Sequence, residues 1–289
     1  MSIKVKVTSL QIPVTDDVKA NHKTIKRCIL SNLESEWILT PECALSGYFM
    51  PPTLASKDLK QEENLRDCLE QLEDFAATQR TGLILGTGWR EHDGFPYNQT
   101  RIYNNMGDLV GTYQKRLLTR RPGGGGELLH YLQGFEPTLF YADKENRIVA
   151  SSLICNDAWA TPMVSPAGNP YFISELAQQH GVKIFFISAN CNVPSADFDQ
   201  LVYDYHDVML RTLAKQNQVY IVVSNSSLSM PMQQPVRHEP SGALCTGPRV
   251  APMEVDRVQV KTGIIAPNGE WIAWCDPSGE DSVTLELEF

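Results

Sequence analysis

The sequence lacks the features that mark several large classes of protein. Its apolar runs, such as 182–189 and 219–223, fall far short of the roughly 20 residues a helix needs to cross a bilayer. The N-terminus alternates as Met-Ser-Ile-Lys-Val-Lys-Val and carries no signal-peptide apolar core, so a soluble, cytoplasmic protein with no membrane partner is expected. Basic residues are in deficit, with 25 Lys+Arg against 34 Asp+Glu and a net charge of -9. The densest basic run, Lys115-Arg116 with Arg120-Arg121, is short and local, which argues against nucleic acid as a partner because phosphate contacts need clustered cations. Seven cysteines, at 28, 43, 68, 155, 191, 245 and 275, form an odd set without a CxxC pair, so neither a disulfide framework nor a thiolate zinc site is indicated. The six histidines include no HExxH. His206 with Asp204 and Asp207 is the one tight cluster, and it reads as a capped or solvent-exposed part of a helix. No GxGxxG or GxxxxGKS element is present, and the four glycines 123–126 are a weak phosphate-loop signal. No metal or cofactor is expected.

What is present is an alternation of strand and helix patterns. Residues 4–10 alternate as a strand, 17–34 show a helical apolar rhythm, and Trp37-Ile38-Leu39 ends at Thr40-Pro41-Glu42. A second helix spans about 58–79, followed by a strand over 81–89 and strands near 99–104 and 109–114 around the turn Asn105-Met106-Gly107-Asp108. Residues 119–134 form a loop. A strand over 148–155 then enters a Pro- and Gly-containing loop, 158–170, before helix 171–180, strand 182–189, helix 201–217 and strand 219–224. Residues 228–259, rich in Pro, Met and polar residues, are long enough to suggest a lid or an interface, and strands at 260–266, 270–275 and 282–288 close the sequence. With no linker or charge break, 1–289 reads as a single α/β domain. Two βαβα halves joined by hairpins suggest two sheets, each covered by helices on one face and packed together as a four-layer sandwich.

Three residues stand where such a scaffold exposes chemistry. Cys155 follows the apolar run 148–154 and precedes Asn156-Asp157, and a strand-to-loop turn presents a nucleophile beside free backbone N–H groups. A buried core cysteine is the bland alternative. Lys115 leaves the strand 109–114, where an isolated lysine is ordinarily a solvated charge. Glu42 ends its own strand, where partial burial would raise its pKa toward that of a general base; a helix cap or a surface acid would look the same.

Taken together, Thr40-Pro41-Glu42, Tyr113-Gln114-Lys115-Arg116-Leu117-Leu118 and Leu153-Ile154-Cys155-Asn156-Asp157 resemble, in order and spacing, the Glu, Lys and Cys signatures of the nitrilase superfamily of carbon–nitrogen hydrolases. The resemblance runs along nearly the whole chain. It extends to Leu45-Ser46-Gly47-Tyr48, Tyr97-Asn98, Asn217-Gln218-Val219-Tyr220 and Ile264-Ile265-Ala266-Pro267-Asn268-Gly269. It implies an αββα sandwich and covalent catalysis in which Cys155 attacks, Glu42 moves protons, and Lys115 with the Asn156 backbone N–H holds the oxyanion. A second glutamate of the family matches Glu127, with Glu136 as the competing position. Tyr48, Phe49, Trp159 and Asn190, with the 158–170 loop, are the expected substrate contacts. Cys191 reads as a structural thiol or pocket wall.

The sequence departs from the family where Leu213-Ala214-Lys215-Gln216-Asn217 has an amide in place of an acid, and where Val260-Lys261-Thr262 stands for Gly-x-Ser. Cys155-Asn156-Asp157-Ala158-Trp159 resembles the form seen in glutamine-hydrolysing relatives, yet no ATP-using domain follows position 289 and a fused synthetase is not expected. The expected activity is hydrolysis of a small linear amide or N-carbamoyl compound with release of ammonia. Nitrile hydrolysis, acyl transfer and a catalytically idle scaffold are the alternatives. The resemblance also implies a homodimer, or a higher homo-oligomer, through helices 171–180 and 201–217.

Overall fold

A computed structural model describes residues 2–48, 50, 52–54, 58–120, 126–161, 171–193, 199–227, 257–277 and 279–289, with backbone alone at 193, 237–238, 244–245 and 257. The first sheet contains β1 (Lys4–Gln11), β2 (Trp37–Leu39), β3 (Gly82–Arg90), β4 (Pro96–Tyr103) and β5 (Leu109–Gln114), and the C-terminal β16 (Asp281–Glu288) returns to flank β1. The second sheet contains β6 (Leu139–Asp143), β7 (Ile148–Ile154), β8 (Ile184–Ala189), β10 (Tyr220–Asn225), β14 (Gly263–Ile265) and β15 (Trp271–Trp274). Its order is β15-β14-β10-β8-β7-β6, and that of the first is β16-β1-β2-β3-β4-β5. Both sheets have three parallel strands at the centre, β1-β2-β3 and β10-β8-β7, with antiparallel strands outside. Two small pairs, β9 (Asn192–Val193) with β13 (Arg257–Val258) and β11 (Arg237–His238) with β12 (Leu244–Cys245), lie outside the sheets.

Central strands are apolar on both faces because both faces are covered. On β8, Ile184 and Phe186 enter the core between the sheets, whereas Phe185 and Ile187 pack under helices α3 (Phe172–His180) and α4 (Gln200–Asn217). On β2, Trp37 and Leu39 face the other sheet, and Ile38 faces the layer of α1 (Val18–Leu30) and α2 (Leu59–Gln79). The result is the four-layer αββα sandwich. Toward the C-terminal ends of the parallel strands, the filling between the sheets changes from aliphatic to hydroxyl. Ser9 Oγ donates to Val223 O at 2.6 Å, Ser188 Oγ to Thr40 O at 2.8 Å, and Thr100 Oγ1 lies 2.8 Å from Ser152 Oγ. Two of these bonds end on backbone carbonyls and the third joins two hydroxyls, so these buried hydroxyls all find partners across the sheets.

The structure adds β6, which the sequence pattern did not show. Its outward residues Leu139 and Tyr141 are themselves apolar, so polarity does not alternate along it. It also begins β4 at Pro96 rather than near 99, with the proline in the first strand position, where its missing N–H costs no ladder bond. His206 is a correction. It is buried, with Nδ1 3.1 Å from Gln259 O, Nε2 2.8 Å from Thr161 Oγ1, and its ring on Trp159. Burial depresses its pKa to about 4. The 162–170 part of the Pro- and Gly-containing loop and most of 228–259 lie outside the described residues. No helix among the described residues is long and apolar enough to cross a membrane.

Candidate active site

Glu42, Lys115 and Cys155 all leave the sheets at the same edge, Lys115 and Cys155 directly after β5 and β7 and Glu42 three residues past the end of β2. The segment after β2 folds back against β3. Thr40 Oγ1 accepts from Gly86 N at 2.9 Å, Leu45 N donates to Gly86 O at 3.1 Å, and Gly88 N donates to Ser46 Oγ at 2.7 Å. A Cβ at Gly86 would lie 2.1 Å from Pro41 O, so only glycine lets the glutamate segment pack this closely. Glu42 N also donates to Ala189 O in the second sheet at 3.2 Å.

Lys115 is fully buried, and its Nζ donates to Glu42 Oε1 at 2.7 Å and lies 2.9 and 2.8 Å from the two Glu127 oxygens. Glu127 opens a short 3-10 turn, Glu127–Leu129, behind Gly126. Gly126 adopts φ 86°, and a Cβ there would meet Thr119 O at 2.5 Å, which explains one of the four glycines; 123–125 lie outside the described residues. Thr119 N donates to Glu127 Oε2 at 2.7 Å. Glu136, the competing position, is exposed.

Asn98 completes the group. Its Nδ2 donates to Glu42 Oε1 at 2.7 Å and to Glu127 Oε1 at 2.8 Å, and its backbone O accepts from Lys115 N at 2.8 Å. No role was foreseen for this residue. The available signal was an asparagine third in a strand, a residue type depleted in strands unless something is bound there.

Burial pushes the Glu42 carboxyl up to about 7; the Lys115 charge opposes the rise and the Glu127 charge adds to it. Burial acts the same way on Glu127, but Lys115, the Thr119 N–H and the Asn98 amide outweigh it and hold that carboxyl below its ordinary value. Burial lowers the Lys115 pKa, but the charges of Glu127 and Glu42 outweigh it and hold the ammonium well above its usual range. One cation therefore pairs firmly with Glu127 and leaves Glu42 poised near neutrality. Among the described residues, Glu42 Oε2 has no hydrogen-bond partner.

Cys155 begins a 3-10 turn, Cys155–Asp157, rather than ending β7, and holds φ 48°. This left-handed conformation is costly for a residue with a Cβ. The buried Asp157 carboxylate fixes the turn by accepting from Leu117 N at 2.6 Å, Arg116 N at 3.1 Å and Tyr113 Oη at 2.9 Å. It thus ties the cysteine turn to the segment carrying Lys115. Asn156 Oδ1 accepts from Thr161 N at 2.8 Å and Ala158 N closes onto Cys155 O at 3.0 Å. The Cys155 thiol is held protonated by a hydrogen bond with Cys191, then by burial and the Glu42 charge, with Lys115 opposing. Cys191 Sγ lies 3.2 Å from Cys155 Sγ.

Of the expected substrate contacts, Tyr48 lies near the charged group. Burial and the charges of Glu127, Glu42 and Cys155 push its phenol well above the usual range. Asn190 is half-buried and accepts from Ser226 Oγ at 2.7 Å. Trp159 is only 1% exposed and packs with α4 residues on the helix side of the second sheet. Phe49 lies outside the described residues.

A strained cysteine at a strand end, at the same sheet edge as a buried Glu-Lys-Glu group in an αββα sandwich, is an arrangement of nucleophile, carboxylate and ammonium that suits nucleophilic catalysis. The family model for carbon-nitrogen hydrolases matches residues 6–288. The chain belongs to the carbon–nitrogen hydrolase family and is an enzyme of that class, as its motifs led one to expect. Solved structures agree on the fold. The glutamine-dependent NAD+ synthetase of Acinetobacter baumannii is 18% identical with a TM-score of 0.70; the match covers 98% of this chain and 45% of that one, so this chain spans less than half of it. A variant of the amidase from Nesterenkonia sp. AN1, carrying the acetamide moiety of fluoroacetamide on its active-site cysteine, is 15% identical with a TM-score of 0.71, covering 98% of this chain and 90% of that one. A cysteine-to-alanine variant of that nitrilase-superfamily amidase is 16% identical with a TM-score of 0.68, covering 99% and 90%. No curated protein matches the sequence.

Proposed function

We propose that the protein hydrolyses a non-peptide carbon–nitrogen bond in a small linear amide or N-carbamoyl compound through a Cys155 thioester, releasing ammonia. The observation that carries this reading is the buried Lys115 ammonium shared by Glu42 and Glu127, which leaves one Glu42 oxygen unpartnered and its carboxyl near pKa 7. A base of that pKa is half-ionised at neutral pH and can both take and return a proton. Glu42 takes the Cys155 proton as sulfur attacks the carbonyl carbon. Lys115 and the Asn156 backbone N–H hold the oxyanion. Glu42 protonates the departing ammonia, then activates water against the thioester. Glu127 and Asn98 position Lys115 and Glu42, while Tyr48, Phe49 and Asn190 are the proposed substrate contacts. The acetamide moiety carried by the active-site cysteine of the Nesterenkonia amidase keeps its amide group, so the adduct marks that sulfur as a nucleophile, and it supports a nucleophilic thiol in this chain as well.

The test is ammonia release from short aliphatic amides, ω-amido acids, N-carbamoyl amines, N-carbamoyl amino acids and nitriles. Release by the wild type that falls at least about 10³-fold in Cys155→Ser supports the mechanism; equal release by the two proteins refutes it. We also propose a homodimer through α3 and α4, where Tyr171, at the N-terminal end of α3, and Leu201 and Val208 of α4 are exposed apolar residues. Light scattering at the monomer mass of 32.3 kDa would refute that.

A further inference from the structure

The contact between Cys155 and Cys191 is not needed by the hydrolytic mechanism. β7 and β8 are parallel neighbours with Ile154 beside Ser188, so residues just beyond both strands emerge together. The Cys191 backbone is fixed on both sides: its N donates to Asn225 Oδ1 at 2.8 Å and its O accepts from Gln259 N at 2.8 Å. This anchoring leaves the side chain as the mobile part. The sulfurs are 3.2 Å apart, and a disulfide needs a further approach of about 1.2 Å, within reach of small side-chain rotations. Cys191 is half-buried, open enough for a small oxidant to enter. Cys43, the other thiol beside the site, is turned toward Asn98 Oδ1 at 3.5 Å.

We propose that Cys155 and Cys191 form a redox-active dithiol that hydroperoxides convert to an intramolecular disulfide, reversibly withdrawing the nucleophile. One thiol gives up its proton, to Glu42 or to solvent, as its sulfur attacks a peroxide oxygen. The O–O bond breaks, water or an alcohol leaves, and a sulfenic acid forms. The second sulfur attacks the first, the S–O bond breaks, and water departs. The two thiols supply two electrons and two protons, and the peroxide is reduced to water and water or alcohol. With a resolving thiol in contact, the sulfenic acid is captured before irreversible oxidation to sulfinic acid.

The loss-of-activity arm of the test rests on Cys155 being the nucleophile, whereas the covalent arm does not. Full-length protein is treated with hydrogen peroxide, blocked with N-ethylmaleimide and digested with trypsin, which places Cys155 alone in 148–183 and Cys191 alone in 184–211. The expected product is these two peptides cross-linked with loss of about 2 Da. Activity should fall about tenfold or more and return with dithiothreitol. In Cys191→Ser the link is absent and Cys155 proceeds to sulfinic acid that dithiothreitol does not reverse; Cys191→Ala serves if the serine protein misfolds. Sulfinic acid at Cys155 of the wild type with Cys191 unlinked, or a link to the Cys43 peptide, overturns the proposal. A linked pair in a protein that hydrolyses no substrate would leave the dithiol standing and sink the hydrolase reading.

Discussion

Glu127→Gln separates the electrostatic part of the site from its geometry. Glutamine keeps the shape and one carbonyl oxygen to accept from Lys115, Asn98 or Thr119, but removes the charge that raises the Glu42 pKa. The Oε1 atoms of the two glutamates lie 2.7 and 2.8 Å from the same Asn98 nitrogen, hence within about 5.5 Å of one another. At an effective dielectric of about 20, two unit charges at that distance repel by roughly 3 kcal/mol, about two pKa units. Lys115, no longer shared, also turns its full attraction on Glu42. The acid limb of kcat/KM, expected near pH 7 in the wild type because Glu42 must be ionised to accept the thiol proton, should therefore move about one to two units lower in the variant. Its plateau should fall by about tenfold or more, since a more acidic base pulls less on the thiol. The assay is a pH profile of ammonia release with the substrate found above. A limb unmoved from the wild-type position, or moved upward, would refute the assignment of charge in this group.

Cys155→Gly and Cys155→Ala should both be inactive, but the glycine protein should be the more stable by about 1 kcal/mol, against the usual order, because the residue holds φ 48°; denaturant melts showing alanine ahead would remove the strain argument. Lys115→Met should cost about 3–5 kcal/mol at neutral pH by leaving two carboxyls without their cation. The sign with pH follows from burial. Glu42 has a folded pKa above its unfolded one, so the folded state binds more protons and stability falls as pH rises from the ordinary carboxylate range to about 7. Without Lys115, Glu127 joins Glu42 on that side, so the variant should regain stability on acidification more steeply than the wild type. Urea melts at pH 5 and pH 8 test this.

How much of this was legible in the sequence depended on whether a residue's role was local. Glu42 and Cys155 each follow a strand whose apolar pattern is strong because both faces are buried, so their positions could be read from where that pattern stops, whereas Lys115 follows the half-exposed edge strand β5 and was placed by the turn before that strand and by its motif. Glu127 was found through its family match, since the glycines before it hide any periodicity. Asn98 was legible only as part of the Tyr97-Asn98 motif; its role was not, because that lies in two partners, 56 and 29 residues away in sequence. The Cys155–Cys191 contact escaped for a related reason: it depends on β7 and β8 being parallel neighbours, a fact of topology that residue spacing does not reveal. Trp159 looked like a pocket aromatic because it stands four residues past the nucleophile, yet the 3-10 turn at Cys155–Asp157 carries it to the helix side of the sheet, onto His206.

The same topology bears on whether 1–289 unfolds as one domain, as we propose. Glu42, Asn98, Lys115 and Glu127 come from the first sheet and its loops, and Cys155 and Cys191 from the second, so neither sheet holds a complete site. The core between them draws Val5, Val7, Trp37 and Ile84 from one sheet and Ala150, Ile184, Phe186 and Val222 from the other; exposing it for one half exposes it for both. The chain also crosses back: β16, after the whole second sheet, pairs with β1 along Lys4–Gln11, and Trp37 Nε1 donates to Ala142 O across the sheets at 2.9 Å. Tryptophans report on both halves, Trp37 and Trp89 on the first, Trp159 and Trp271 on the second. Tryptophan fluorescence, far-ultraviolet circular dichroism and activity should therefore be lost with a common midpoint in urea. Midpoints separated by about 0.5 M or more, with fluorescence changing in two steps, would mean that one sheet keeps its core without the other, and the single-domain assignment would fall.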